Sequence, residues 1–467
     1  MKVLFIYPDI RTRGSARHFA TGIGSLSAVL KEKGHETGLI YWCGEPLQIV
    51  KKKVRDFSPD IIAFSAMTTQ FRHVLRLSRS LRGETEGLLI CGGSHVTLEP
   101  GVLGSSPLKA ICRGEGEEAL PELIDKIKEG KGVRAVKNFW WRDNDHIYHN
   151  PLRPVISDLD SLPFPDRELF DYQAIIDSDF GQASFIFSRG CPFNCSYCSN
   201  HAFHKLYGEP YVRFRSVDKA LAEIDSVSSR YRFKTIVFDD DTMTADIDWL
   251  KGFLEGYRKH FRYPFDLNIR VETAAEGLFP LLKESGCRKV SIGVECGHEK
   301  LRKEVLRRRM TNREIIECFN RARLSGLKTK SFNLIGFPGE DSQTFRDTIR
   351  LNQTINPSSL ILNVFYPYPG TDLYEFCREK GWIGQGGKDF RERDDTILDL
   401  PDFPRRDILT LYRRFGYLVY IHNHIWKAVV YWLRYSVLGE PILKWLDKAL
   451  PWGGRYAKRM IKNLSRA

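Results

Sequence analysis

Short apolar runs alternate with amphipathic ones through two stretches of the chain, and a proline-rich acidic interval separates the stretches. In the first, residues 3–7, 36–41, 61–65, 87–90 and 110–112 are short apolar runs bounded by turn formers, which predicts strands. Residues 24–33 and 71–81 lie between them and repeat apolar side chains every three or four positions, the spacing of one helix face. Strand and helix in alternation predict a Rossmann-like, doubly wound parallel sheet over residues 1–150. In the second stretch, residues 183–188, 235–239, 266–271, 289–294, 330–335 and 360–365 read as strands, with helical patterns such as 217–230 and 312–325 between them. Six βα units predict a partial (β/α)6 barrel of the TIM type over residues 183–400. Pro151, Pro154, Pro163 and Pro165 stand among acidic residues in the interval, a composition suited to an extended linker over 151–182. The chain is therefore α/β in class.

Sheets of both kinds bind ligands beyond the carboxyl ends of their strands. In the first domain those ends carry Pro8-Asp9-Ile10, Ser65-Ala66-Met67-Thr68-Thr69, Gly92-Gly93-Ser94-His95 and Arg113-Gly114-Glu115-Gly116-Glu117. Glycines there let a ligand approach the backbone, and the hydroxyls can hydrogen-bond it. The corresponding positions of the barrel carry the cysteine segment described next, then Asp239-Asp240-Asp241, Glu272, Glu295, Gly336-Phe337-Pro338-Gly339-Glu340 and Tyr366-Pro367-Tyr368-Pro369-Gly370.

Cys191-Pro-Phe-Asn-Cys195-Ser-Tyr-Cys198 places three thiols on one loop after the first barrel strand. Three thiolates at this spacing can hold three irons of a cubane cluster and leave the fourth iron open. A tetrahedral zinc site closed by His201 or His204 is the other reading of the same thiols. A zinc staple would require none of the strand-end residues around it, so the setting favours the cluster.

The pattern C-x-x-x-C-x-aromatic-C resembles the signature of the radical S-adenosylmethionine (radical SAM) enzymes. In that family SAM chelates the open iron and is cleaved to a 5′-deoxyadenosyl radical that abstracts a substrate hydrogen. With the Gly92-Gly93-Ser94-His95-Val96-Thr97 and Arg113-Gly-Glu-Gly-Glu117 segments, the chain is similar to the cobalamin-dependent branch. The resemblance implies a 4Fe-4S cluster on Cys191, Cys195 and Cys198. It implies SAM contacts from Tyr197, from Glu295 in Gly293-Val-Glu295-Cys-Gly297, and from the turn containing Gly336 and Pro338. Cobalamin contacts are implied from Ser65, Thr68, Gly92, Gly93, Ser94 and Glu115. The Asp-x-His-x-x-Gly motif of many cobalamin proteins is absent, so the implied cobalamin has no protein histidine below its cobalt. A salt bridge for Glu295, helix caps for Asp240 and Asp241, and a local hydrogen bond for His95 are the alternative readings of those residues. Arg270 faces either the barrel interior, where it could hold a carboxylate, or a helix. Cys43, Cys91 and Cys112 offer three further thiols, but Cys91 and Cys112 end apolar runs, where an inert buried thiol is usual. Cys287, Cys296, Cys318 and Cys377 read as core thiols, Cys296 standing next to Glu295.

Composition narrows the setting. Of 467 residues, 42% are hydrophobic and 28% charged, the balance of a soluble globular protein of two or three domains. No basic-then-apolar leader precedes Met1-Lys-Val-Leu-Phe-Ile-Tyr7, so a cytoplasmic protein whose ten cysteines are reduced thiols or metal ligands is expected. Residues 403–467 hold thirteen Lys or Arg against three Asp or Glu, and so carry +10 of the chain's net +13. Tyr and Trp interleave with that charge. Such a basic, aromatic helical region over 401–467 suits either a cap on the barrel or peripheral contact with the inner membrane surface. No nucleic-acid-binding module accompanies the charge.

The reaction implied by the resemblance is methylation of an unactivated carbon or phosphorus of a small substrate, lipid-like if the basic region meets membrane, with a flavodoxin or ferredoxin as electron donor. A cyclisation or rearrangement without methyl transfer is the second enzymatic reading. A zinc-stapled protein that binds membrane or nucleic acid is the reading from another class.

Overall fold

The computed structural model describes residues 1–10, 17–208, 212–384 and 392–435 of the chain. Its first sheet has seven strands, β1 (Lys2–Pro8), β2 (Glu36–Trp42), β3 (Ile61–Ser65), β4 (Leu88–Gly92), β5 (Ala110–Cys112), β6 (Phe139–Asp143) and β7 (His146–His149), in the order β2-β1-β3-β4-β5-β6-β7. β1 to β5 pair in parallel. β1 and β3 are buried along nearly their whole length, which is why they read as unbroken apolar runs rather than alternating ones. The helix Phe71–Leu81 buries Phe71, Val74, Leu77 and Leu81 on one stripe, against a core that includes Leu4, Ile6, Ile62 and Phe64.

β6 and β7 form an antiparallel hairpin on β5 that the apolar alternation does not announce. The hairpin turns at Asn144, which takes φ +53°, a conformation Asn tolerates better than most residues. Trp140 stacks on His149 across the hairpin with ring centroids 4.0 Å apart.

The interval 151–182 contains a short 3-10 turn, Leu159–Ser161, and a helix, Tyr172–Ser178, whose cap Asp171 accepts from Ala174 N. Leu159 and Leu162 bury against Val29, and Asp166 accepts from Ser27 and pairs with Lys31. The interval is thus pinned along its length, not free-running.

The predicted strand 183–188 divides. Gln182–Phe185 forms β8, while Ser188–Arg189 forms β9 and pairs antiparallel with β10 (Arg213–Phe214). Arg189 of β9 and Arg213 of β10 both reach the carboxylate of Glu115. A six-stranded sheet then runs in the order β15-β14-β13-β12-β11-β8, with β11 (Thr235–Phe238), β12 (Phe265–Ile269), β13 (Cys287–Glu295), β14 (Lys328–Ile335) and β15 (Ser359–Val364). Neighbours from β12 to β15 are parallel. The intervening helices begin where side chains can satisfy free N–H groups. Thr311 and Glu314 form a reciprocal capping box before the helix Asn312–Leu324, and Asp341 accepts from Gln343 N and Thr344 N before Ser342–Ile355.

Two helices of the basic region are described, Arg405–Tyr420 and Ile425–Tyr435. Ile408, Phe415, Val419, Tyr420, Ala428 and Tyr431 join the core that holds Ile335, Phe337 and Phe345. The described part of the region is a helical cap on the barrel, and the expected basic stretch beyond residue 435 lies outside the described residues. By contacts the chain forms two compact units, one of Met1–Gly190 with Ala202–Ile236, the other of Cys191–His201 with the chain from Val237 onward.

Candidate active site

Cys191 and Cys195 are buried and Cys198 is half-buried. Each sulfur faces a polar side chain. Thr242 Oγ1 lies 3.3 Å from Cys191 Sγ, Arg270 Nη1 donates to Cys195 Sγ at 3.1 Å, and Asn200 Nδ2 approaches Cys198 Sγ at 3.9 Å. Burial pushes the Cys198 thiol up to about 12, and pushes Cys191 up as well, with the Thr242 hydrogen bond opposing. Thiols held protonated by burial become ligands once a cation replaces the proton. N–H donors aimed at the Cys195 and Cys198 sulfurs suit an anionic iron–sulfur cluster, whose thiolates gain from such hydrogen bonds. The loop itself is fixed by Ser196, whose N–H reaches Leu306 O at 3.4 Å and whose carbonyl accepts from Leu373 N at 3.2 Å. His201 Nε2 lies 2.9 Å from Asp372 Oδ2 and 3.2 Å from Arg307 Nη1, which commits that nitrogen to an ion-pair cluster rather than to closing a zinc site.

Glu295 ends β13 at a point where the register against β14 shifts, and it holds φ +64°. A left-handed conformation at a non-glycine is costly and is found where a side chain must be aimed. Its Oε1 lies 3.2 Å from Arg308 Nη1, which also sits 3.4 Å from the Tyr197 hydroxyl, while Arg308 Nη2 donates to Gly293 O at 2.8 Å. Burial pushes the Glu295 carboxyl up against the opposing pull of Arg308, and burial followed by Glu295 raises the Tyr197 phenol. A Cβ at Gly293 would fall 2.6 Å from Glu295 Oε1 and 2.9 Å from Arg308 Nη1, so a side chain there would displace the ends of this pair. The salt bridge considered for Glu295 therefore exists, and its partner, Arg308, also carries Tyr197. Nothing in the run Arg307-Arg308-Arg309 marks which arginine turns inward.

Gly336 takes φ +81° at the end of β14, and its N–H donates to Glu340 Oε2 at 2.6 Å. Glu340 is buried, its carboxyl is raised well above the usual range by that burial, and its Oε1 has no hydrogen-bond partner. Pro338, Gly339 and Glu340 line a cavity of about 440 Å³ with Ser196, Phe376 and Trp382. Ile408 of the C-terminal cap would sit 3.0 Å from a Cβ at Gly336, so the cap closes over this turn. Asp241 accepts from Asn200 Nδ2 at 3.0 Å, and the helix Ile247–His260 is capped by Asp246 rather than by Asp240 or Asp241. Arg270 is buried toward the cysteine loop rather than on a helix. Cys287, Cys296, Cys318 and Cys377 are buried, Cys296 with its thiol pushed up to about 12.

In the first unit, Ser65, Thr68, Gly92, Gly93 and Ser94 gather at the carboxyl ends of β3 and β4. Gly93 holds φ +103°, and a Cβ there would meet Ala66 O at 2.6 Å. Gly92 differs, since a Cβ would meet nothing nearer than 3.9 Å. The protein's own packing therefore does not demand glycine at 92, which leaves room for a ligand at that backbone. Thr68 Oγ1 lies 3.3 Å from His95 Nδ1, the local hydrogen bond considered for that histidine, and burial lowers the imidazole to about 4. Glu115 is taken up by protein groups, accepting from Arg189 at 2.7 Å, Arg213 at 3.0 Å and Ile156 N at 2.7 Å. Glu117 accepts from Arg189 at 2.6 Å and Ser25 at 2.9 Å. The two carboxylates of the Arg-Gly-Glu-Gly-Glu segment thus brace the residue two places before Cys191. Cys91 and Cys112 are buried with raised thiols, Cys112 to about 12, while Cys43 is exposed.

Residues 185–351 match the model of the radical SAM superfamily and residues 11–124 that of the B12 binding domain, together more than half of the chain. An uncharacterized methyltransferase of Pyrococcus horikoshii is 26% identical over 424 residues, covering 89% of this chain and 91% of that protein. The anaerobic magnesium-protoporphyrin IX monomethyl ester cyclase of Rubrivivax gelatinosus is 25% identical, covering 81% of this chain and 70% of that protein. The hopanoid C-3 methylase of Methylococcus capsulatus is 25% identical, covering 92% and 81%. The solved structure of the cobalamin-dependent S-adenosylmethionine radical enzyme OxsB superposes with a TM-score of 0.73 at 16% identity, covering 96% of this chain and 75% of that one, a likeness of fold. The chain belongs to the radical SAM superfamily, among its enzymes that carry an N-terminal B12 binding domain.

Proposed function

We propose that this enzyme is a cobalamin-dependent methyltransferase acting on an unactivated carbon or phosphorus of a small substrate. The supporting observation is the cysteine loop, with a polar side chain on each of its three sulfurs and Tyr197 joined through Arg308 to Glu295. Cys191, Cys195 and Cys198 would hold the 4Fe-4S cluster. Tyr197, Glu295 and the Gly336–Pro338 turn would bind SAM, Glu295 accepting from a hydroxyl or ammonium. Ser65, Thr68, Gly92, Gly93 and Ser94 would line the cobalamin site, and Glu115, already engaged by two arginines, would shape it indirectly. When bound, these groups supply low-potential electron transfer, a source of adenosyl radical and a methyl carrier. The protein's side chains bind, orient and exclude water, and none is assigned as a general acid or base.

The test is anaerobic reconstitution with iron, sulfide and cobalamin, followed by turnover with SAM and a reductant such as reduced flavodoxin. S-adenosylhomocysteine formed together with 5′-deoxyadenosine supports methyl transfer. The deoxyadenosine alone would select the cyclisation reading, for which the Rubrivivax relative is the precedent.

Peripheral contact with an anionic membrane surface is supported by a separate observation. Ile425, Trp426 and Trp432 on the second cap helix are 52%, 78% and 49% exposed, and thirteen basic residues lie between positions 403 and 467. Exposed tryptophan beside basic charge suits the headgroup interface, and a lipid-like substrate, as the name of the Methylococcus relative implies for that protein, would be reached there. No helix among the described residues is long and apolar enough to cross a membrane. Co-sedimentation with vesicles containing an anionic lipid, weakened in Trp426→Ala/Trp432→Ala and absent with neutral vesicles, is the expected result.

A further inference from the structure

Arg270 follows the last residue of β12 and turns its guanidinium onto the cysteine loop. Nη1 donates to Cys195 Sγ at 3.1 Å, Nη2 pairs with Glu272 Oε1 at 2.7 Å, and the guanidinium carbon lies 3.7 Å from the centroid of the Phe193 ring. The side chain is 10% exposed. A planar fork held on three sides can aim one N–H at the sulfur in a way that a lysine ammonium cannot.

That geometry has a redox consequence. One-electron reduction adds a negative charge to a cluster and its thiolates, so a donor fixed on a thiolate stabilises the reduced form more than the oxidised form. Hydrogen bonds to sulfur and local net charge are among the terms that set the potentials of iron–sulfur centres. Glu272 opposes the guanidinium charge from the other side. We infer that the Arg270–Glu272 pair sets the reduction potential of the cluster held by Cys191, Cys195 and Cys198, Arg270 raising it and Glu272 restraining the rise; the inference rests on the cluster reading above.

The two members of the pair carry opposite signs, which a merely structural role would not produce. Full-length protein is reconstituted anaerobically with iron and sulfide, without SAM, and titrated with dithionite or titanium(III) citrate while the reduced cluster is counted by electron paramagnetic resonance. Arg270→Met should retain wild-type iron and show about a tenfold lower ratio of reduced to oxidised cluster at the wild-type midpoint, equivalent to a shift of about −59 mV for a one-electron couple. Arg270→Lys should shift in the same direction by less, and Glu272→Gln should shift to a more positive value. Unchanged midpoints in both Arg270 variants at full iron content overturn the inference, as does a Glu272→Gln midpoint that is unmoved or moves with that of Arg270→Met. Loss of iron from both Arg270 variants also overturns it, leaving Arg270 a structural prop. Failure of the wild-type protein itself to take up about four irons would instead sink the cluster reading.

Discussion

Gly93 and His95 show how much of the first unit's ligand end depends on single atoms. At Gly93 a methyl group would meet the oxygen and nitrogen of Ala66 at 2.6 and 2.9 Å, in a backbone already at φ +103°. Gly93→Ala is expected to cost about 2–4 kcal/mol and to lower the melting temperature of the full chain by several degrees. Gly101→Ala, in open space, should be near neutral. Burial holds His95 near 4 against an ordinary value of 6.5, so the unfolded chain binds the proton more readily than the native one. Its neutral form is stable above pH 6.5, and its contribution is lost as the pH falls from there toward 4. The loss reaches about 3 kcal/mol by the one-unit rule. His95→Gln should flatten the fall in melting temperature between those pH values. At this scale the three cysteines stood out because their spacing on one segment carries their chemistry, whereas Tyr197 and Glu295 entered only through the family resemblance. Arg308 and the sulfur contact of Arg270 were not legible, since their significance lies in residues distant in sequence.

Among the elements, β1 and β3 announced themselves as unbroken apolar runs because they are buried along nearly their whole length. β2, β12 and β14 carry polar residues such as Glu36, Asp266, Asn268, Lys330 and Asn333, and were read from the apolar residues between turn formers. The β6–β7 hairpin was missed because Phe139, Trp140 and Trp141 are contiguous aromatics, so the sequence shows no apolar–polar alternation although burial along β6 alternates as far as Arg142. The division of 183–188 into β8 and β9 was equally unreadable, and the two arginines of the β9–β10 pair meet Glu115 from 74 and 98 residues away. That brace is testable. Arg189→Met would leave the Glu117 carboxylate, 6% exposed, without its cation, and the expected loss is about 3–5 kcal/mol by analogy with broken buried pairs. Pairing it with Glu117→Leu should recover part of the loss in denaturant unfolding, whereas an independent cost for each change would refute the brace.

For the whole molecule, the central expectation concerns the cysteine loop. Cys191→Ala/Cys195→Ala/Cys198→Ala should abolish the brown colour, the iron content and reductive SAM cleavage together, while circular dichroism stays at the wild-type signal. Preserved cleavage would remove the basis of the proposed chemistry. The sequence by itself determined the two α/β domains, the placing of candidate ligands at strand ends and the three-thiol motif, because apolar periodicity and short-range spacing are local properties. Only the tertiary structure decided that Glu115 and Glu117 brace Arg189, that Arg308 links Tyr197 to Glu295, that Arg270 reaches Cys195, and that Ile408 of the C-terminal cap closes over Gly336. A buried charge takes whichever counter-charge the fold brings within hydrogen-bond reach, and that choice is made by long-range packing rather than by neighbours along the chain.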